Sequence, residues 1–111
     1  MSDKLSPAFA QTLYARTLAA SLVEAGVREV VVSPGSRSTP FVLALAARPE
    51  LGLVDVVDER SAAFVALGHA RASGEAAALL CTSGTAPAHW YPAVLEASLA
   101  ELPLVCISAD R

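Results

Sequence analysis

The residues of this 111-residue chain that could do chemistry gather in four short stretches, each placed after an apolar run. The first is Ser33-Pro34-Gly35-Ser36-Arg37-Ser38-Thr39-Pro40. It joins a tight turn, several hydroxyls and one guanidinium to what reads as a helix start. A helix N-terminus presents free N–H groups and partial positive charge, so it attracts anions. Arg37 adds a planar fork that matches a carboxylate or a phosphate. A plain βα turn with a hydroxyl cap would use the same residue types. The second stretch is Asp58-Glu59-Arg60, set between an apolar run and Ala62, Ala63 and Phe64. A carboxyl held in such apolar surroundings has its charged form disfavoured, as a proton-transfer group needs. A first-turn acid favoured by the helix dipole is the plainer alternative for Glu59, and Asp58 reads as the helix cap. In the third stretch, Thr82-Ser83-Gly84-Thr85-Ala86-Pro87, Gly84 permits close backbone approach and three hydroxyls can donate or accept. The fourth is Ala109-Asp110-Arg111, where Arg111 is either solvated or a second anion clamp.

Four strands are expected to position these stretches, over Glu29–Ser33, Leu53–Val57, Ala77–Cys81 and Leu104–Ser108. They recur roughly every two dozen residues, the spacing of strand–helix units with short connections. The runs are apolar throughout, as strands buried on both faces are, which points to a parallel sheet covered by helices. Helices are expected over Pro7–Ala25, Pro40–Ala47, Arg60–Ser73 and Ala86–Leu99. In the first, Tyr14, Leu18 and Leu22 share a face and Gly26 supplies the stop. Thr39 can cap the second, and Arg48-Pro49 ends it. Gly74 stops the third, and Pro92 predicts a kink or a broken start in the fourth. The fold class is therefore α/β, a doubly wound parallel sheet with helices on both faces. In such sheets ligands bind outside the carboxyl ends of the strands, where all four stretches fall. The chain stops directly after a strand, where this architecture would continue into a helix, so a truncation is expected there.

Composition excludes several function classes. Aromatic residues make up 5%, too few for a stacking platform for single-stranded nucleic acid, and a formal charge of −3 with no basic run argues against a phosphate-backbone partner. No apolar stretch reaches the roughly 18 to 20 residues of a membrane span. Asp3, Lys4, Gln11 and Arg16 rule out a signal-peptide pattern in the first 20 residues. Cys81 and Cys106 lack redox or zinc spacing and read as buried reduced thiols, which suits a cytoplasmic protein. His69, His89 and Trp90 read as packing or solvated residues, and no His/Asp/Glu cluster has metal-ligand spacing. No nucleophile elbow, Walker A loop or dinucleotide fingerprint is present.

Taken in order, Val32-Ser33-Pro34-Gly35-Ser36-Arg37-Ser38, Asp58-Glu59-Arg60, Thr82-Ser83-Gly84-Thr85-Ala86 and Ser108-Ala109-Asp110-Arg111 resemble one enzyme family. The chain is similar, over about Leu18 to Arg111, to the N-terminal part of the 2-succinyl-5-enolpyruvyl-6-hydroxy-3-cyclohexene-1-carboxylate synthases. These are the thiamin-diphosphate enzymes of menaquinone biosynthesis. The resemblance implies that residues 1–111 are the N-terminal part of a pyrimidine-binding domain. It implies that Glu59 hydrogen-bonds the cofactor's aminopyrimidine ring and favours its imino tautomer. The loaded enzyme would decarboxylate 2-oxoglutarate and add the four-carbon unit to isochorismate. Ser36, Arg37 and Arg111 match positions that hold the carboxylates of isochorismate, and Thr82, Ser83, Gly84 and Thr85 match a segment lining the site near the pyrimidine. The Mg²⁺ and diphosphate site of such enzymes lies downstream of this stretch, so the chain alone is expected to be inactive. The cofactor lies between two subunits in this family, which implies a homodimer or a dimer of dimers for the full-length protein.

Two other readings remain at this point. One is another thiamin-diphosphate enzyme, a 2-oxo-acid decarboxylase or an acetohydroxyacid synthase relative, which would share Glu59 but usually lack Arg37 and Arg111. The other is a non-catalytic flavodoxin-like domain that uses the Ser36-Arg37 loop only for an anion.

Overall fold

A computed structural model describes residues 6–110. Its elements run α1 (Pro7–Glu24), β1 (Glu29–Val32), α2 (Thr39–Ala46), β2 (Gly52–Asp55), α3 (Glu59–Ser73), β3 (Ala77–Cys81), α4 (Tyr91–Ala100) and β4 (Leu104–Ser108). The strands form one sheet in the order β2-β1-β3-β4, and every pairing is parallel. The chain steps from β1 to one side and then crosses back to the other. With crossovers of one hand, that reversal puts α2 on one face and α3 and α4 on the opposite face. Accordingly α2 packs with α1, and α3 packs with α4, β3 and β1.

The core divides by the two-residue period of the strands. Val30, Val32, Ala78 and Leu80 face the α1/α2 layer, where Ala19, Leu22 and Leu45 meet them. Val31, Ala77, Leu79 and Cys81 face the α3/α4 layer, against Ala62, Ala63, Ala66, Trp90 and Ala93. The small side chains of α3, with Ala62, Ala63, Ala66 and Ala70 all fully buried, let that helix lie close to the sheet. Only the two central strands are buried along their length; β2 and β4 are edges and stay half-exposed. Cys106, expected to be buried, is exposed because it lies on the edge strand β4, whereas Cys81 is buried in β3. Among the described residues no helix is long and apolar enough to cross a membrane.

Local chemistry explains the boundaries. Pro7 opens α1 behind the Ser6 cap, and Gly26, with φ 97°, follows its end. The buried face of α1 is Ala15, Ala19 and Leu22, with Leu18 packed beside it; of the expected stripe only Tyr14 departs, being exposed and in edge-on contact with Phe41. Asp58 caps α3 as expected, accepting from the Ser61 N–H at 2.8 Å, and Gly74 closes it in the left-handed conformation. Thr39 does not cap α2. A 3₁₀ turn over Ser36–Ser38 leads straight into the helix, and the Ser38 hydroxyl donates back to the Gly35 carbonyl at 2.9 Å. The fourth helix does start broken. Ala86–Trp90 is a 3₁₀ segment, and Pro92 falls in the first turn of α4, where its missing N–H is harmless.

Candidate functional site

Strand order β2-β1-β3-β4 reverses direction between β1 and β3, and the crevice of an open α/β sheet forms at such a point. The loops after β1 and β3 flank it. Their approach is sterically tight, because a Cβ added at Gly35 would collide with the Thr82 side chain. Arg37 spans the crevice. Its Nη1 donates to Ser83 Oγ at 2.8 Å and lies 3.7 Å from Asp110 Oδ1. One guanidinium thus touches the ends of three neighbouring strands. Beneath it the buried Ser33 donates its hydroxyl to the Val56 carbonyl at 2.9 Å, while its N–H donates to Leu80. Ser33 therefore ties the ends of β1, β2 and β3 together, a role that its position in a hydroxyl-rich loop did not reveal.

Ser36 and Arg37 are neighbours in sequence but point to different places. A 3₁₀ turn advances about 120° per residue, so adjacent side chains diverge. Ser36 lines a groove of about 520 Å³ between α1 and α2, with Arg16 and Thr12. Of the Thr82–Thr85 loop, Thr82 and Ser83 are half-buried at the crevice and Gly84 takes φ 75°, while Thr85 is exposed. Arg111 lies outside the described residues.

Glu59 occupies the first turn of α3 and is half-buried. Among the described residues its carboxylate has no hydrogen-bond partner. It stands within electrostatic range of Cys81, the last residue of β3. Burial pushes that thiol up to about 11, and the Glu59 charge adds to the shift. Neighbouring Asp58 is held below the usual carboxylate range, first by the Ser61 N–H and then by the Ser61 hydroxyl. The two adjacent acids therefore differ in kind: Asp58 is committed to a cap, and Glu59 is available. His89, beyond the β3 loop, is close enough to add to the Asp58 shift, so the loops after β2 and β3 also converge. His69 is neither core nor solvated. Its Nδ1 lies 2.9 Å from Glu29 Oε2 at the opposite edge of the sheet.

Comparison with known proteins decides the family. The family model described as "Thiamine pyrophosphate enzyme, N-terminal TPP binding domain" matches residues 13–111. The chain belongs to this family. Its relatives agree. A 2-succinyl-5-enolpyruvyl-6-hydroxy-3-cyclohexene-1-carboxylate synthase of Thermosynechococcus vestitus is 56% identical over 99 residues, covering 89% of this chain and 18% of the relative. The synthase of Lysinibacillus sphaericus is 55% identical over 100 residues, 90% of this chain and 18% of its own length. That of Geobacillus kaustophilus is 55% identical over 111 residues, the whole of this chain and 18% of its own. The chain thus spans about a fifth of the length of the curated relatives it matches.

For a TPP-binding domain, the half-buried Glu59 carboxylate suits an aminopyrimidine, a flat ring with polar N–H edges. At the same end of the sheet, the backbone after β3 and the half-buried hydroxyls of Thr82 and Ser83 offer donors and acceptors of the right kind. Among the described residues no three His, Cys, Asp or Glu side chains gather into a metal cage.

Proposed function

We propose that this TPP-binding domain is the pyrimidine-binding part of a cytoplasmic synthase that decarboxylates 2-oxoglutarate and joins the resulting four-carbon unit to isochorismate. The observation that carries this reading is the placement of Glu59. An unpartnered, half-buried carboxylate stands on the same sheet edge as the Arg37 fork, at the reversal point of the sheet. The names of relatives at about 55% identity support the reaction.

Thiamin diphosphate, when bound with Mg²⁺, supplies the electron sink that decarboxylation of a 2-oxo acid requires. The residues of this chain hold and orient. Glu59 would hold the pyrimidine through a ring nitrogen, giving that nitrogen its carboxyl proton and taking it back. Thr82, Ser83, Gly84 and Thr85 line the pyrimidine end. Arg37 and Arg111 hold carboxylates of isochorismate, with Arg37 serving as a charge-assisted, planar donor, whereas Ser36 opens away from Arg37 into the groove between α1 and α2. The full-length protein would work as a homodimer or a dimer of dimers.

The test is Glu59→Gln in the full-length protein. Glutamine keeps the shape and a hydrogen bond but cannot carry the proton. Turnover should fall by roughly 10² to 10⁴, the usual contribution of one acid–base group, with little change in either Michaelis constant. Near-normal turnover in Glu59→Gln would remove the assignment.

A further inference from the structure

We propose that Ser83 and Asp110 are positioning residues that aim the Arg37 guanidinium, turning its Nε/Nη2 edge toward an incoming carboxylate. This rests on the function proposed above, in which Arg37 meets isochorismate. Both contacts fall on one nitrogen: Nη1 donates to Ser83 Oγ at 2.8 Å and stands 3.7 Å from Asp110 Oδ1. Among the described residues Nε and Nη2 make no hydrogen bond. A guanidinium carries five N–H groups in a rigid plane. Two belong to Nη1, so the three on Nε and Nη2 remain, and they form the edge that grips a carboxylate through two parallel bonds.

The anchors are well placed to set that plane. Ser83 follows β3, Asp110 follows β4 and Arg37 follows β1, and these strands are consecutive across the sheet. Ser83 is half-buried. Arg37 and Asp110 are 41% and 76% exposed, so their ion pair adds little binding strength of its own. Its effect is directional. It draws the arginine, a long side chain with many rotamers, toward β4 and limits the orientations it loses on binding substrate.

The experiment uses the full-length protein with Ser83→Ala, Asp110→Asn and Arg37→Ala, singly and with each anchor variant combined with Arg37→Ala. Ser83→Ala should raise the Michaelis constant for isochorismate about three- to tenfold, the worth of one hydrogen bond. Asp110→Asn should raise it about two- to fivefold, as for an exposed pair. Asp110→Asn should leave the turnover number and the constant for 2-oxoglutarate near wild type, and Ser83→Thr should restore most of the isochorismate loss seen in Ser83→Ala. In the Arg37→Ala background neither anchor variant should add anything, because each acts through Arg37. Anchor variants that leave the isochorismate constant unchanged, affect both substrates equally, or keep their full effect without Arg37 overturn the proposal while leaving the synthase reading intact. A wild-type protein without synthase turnover overturns the functional reading, and this inference with it.

Discussion

At the carboxyl end of β3 a thiol and a carboxylate share one small region, and each alters what the other can do. Cys81 is fully buried, and its thiol is raised from 9.0 to about 11 by burial first and by the Glu59 charge second. A group whose folded value lies above its unfolded one holds its proton more tightly in the folded chain. Its contribution is present in full below pH 9 and is lost as the pH climbs toward 11. Denaturation midpoints measured between pH 8 and 11 should therefore fall more steeply in wild type than in Cys81→Ala. Equal slopes would show that the thiol titrates normally. Ser33 offers a second test. Its hydroxyl satisfies the Val56 carbonyl, so Ser33→Ala leaves a partly buried acceptor unpaired at a cost of about 1–3 kcal/mol. Chemical denaturation should show that loss, and Ser33→Thr should avoid part of it by keeping the hydroxyl.

The loops after β1 and β3 meet only because one of them lacks a side chain at the contact. Gly35 has φ 172°, an extended conformation open to any residue, so its requirement is space rather than backbone freedom. A methyl there would collide with Thr82, and Thr82 is β-branched and cannot swing aside cheaply. Gly35→Ala should cost about 1–3 kcal/mol, as overpacking usually does. Thr82→Ser, which deletes the clashing methyl, should recover part of that in the double variant; strict additivity of the two would contradict the contact. Much at this scale was legible beforehand. Mostly apolar runs marked all four strands, although only the central β1 and β3 are buried as such runs imply. Asp58, Gly74 and Pro92 acted as their backbone chemistry requires. What escaped was set by neighbours far away in sequence. Tyr14 has the spacing of a core residue, but α1 meets the sheet through its small Ala15 and Ala19. Cys106 sits in an apolar run whose strand happens to be an edge. Glu59 and Arg37 were legible as chemistry-bearing residues, whereas the 3₁₀ turn that parts Ser36 from Arg37, and the reach of Arg37 to Ser83, depend on packing between loops 46 residues apart.

Across the whole molecule, the order β2-β1-β3-β4 brings all the chemistry-bearing loops to one rim. The described rim offers hydroxyls, the Arg37 fork, the exposed Arg60 and the Glu59 carboxylate. Most of the affinity for a diphosphate cofactor should come from its charged diphosphate and bridging Mg²⁺, and among the described residues no three His, Cys, Asp or Glu side chains gather to hold that metal. The 111 residues alone should therefore bind thiamin diphosphate no tighter than the millimolar range by calorimetry and show no synthase turnover. Micromolar binding would place the diphosphate contacts within this chain. The opposite rim bears on the same chemistry. His69 and Glu29 join there, 2.9 Å apart, and connect α3 to the start of β1. Glu59 and His69 are ten positions apart on one helix, so the joint lies about 15 Å from the Glu59 backbone along the axis. Helix α3 is packed on the sheet along its length through Ala62, Ala63, Ala66 and Ala70, and the His69–Glu29 pair is a further pin at its far end. A swing of only about 4° around that pin would carry the tip by about 1 Å, a displacement large enough to spoil a catalytic alignment. In the function proposed above, a histidine about 15 Å from Glu59 would thus help to set the aim of that carboxylate.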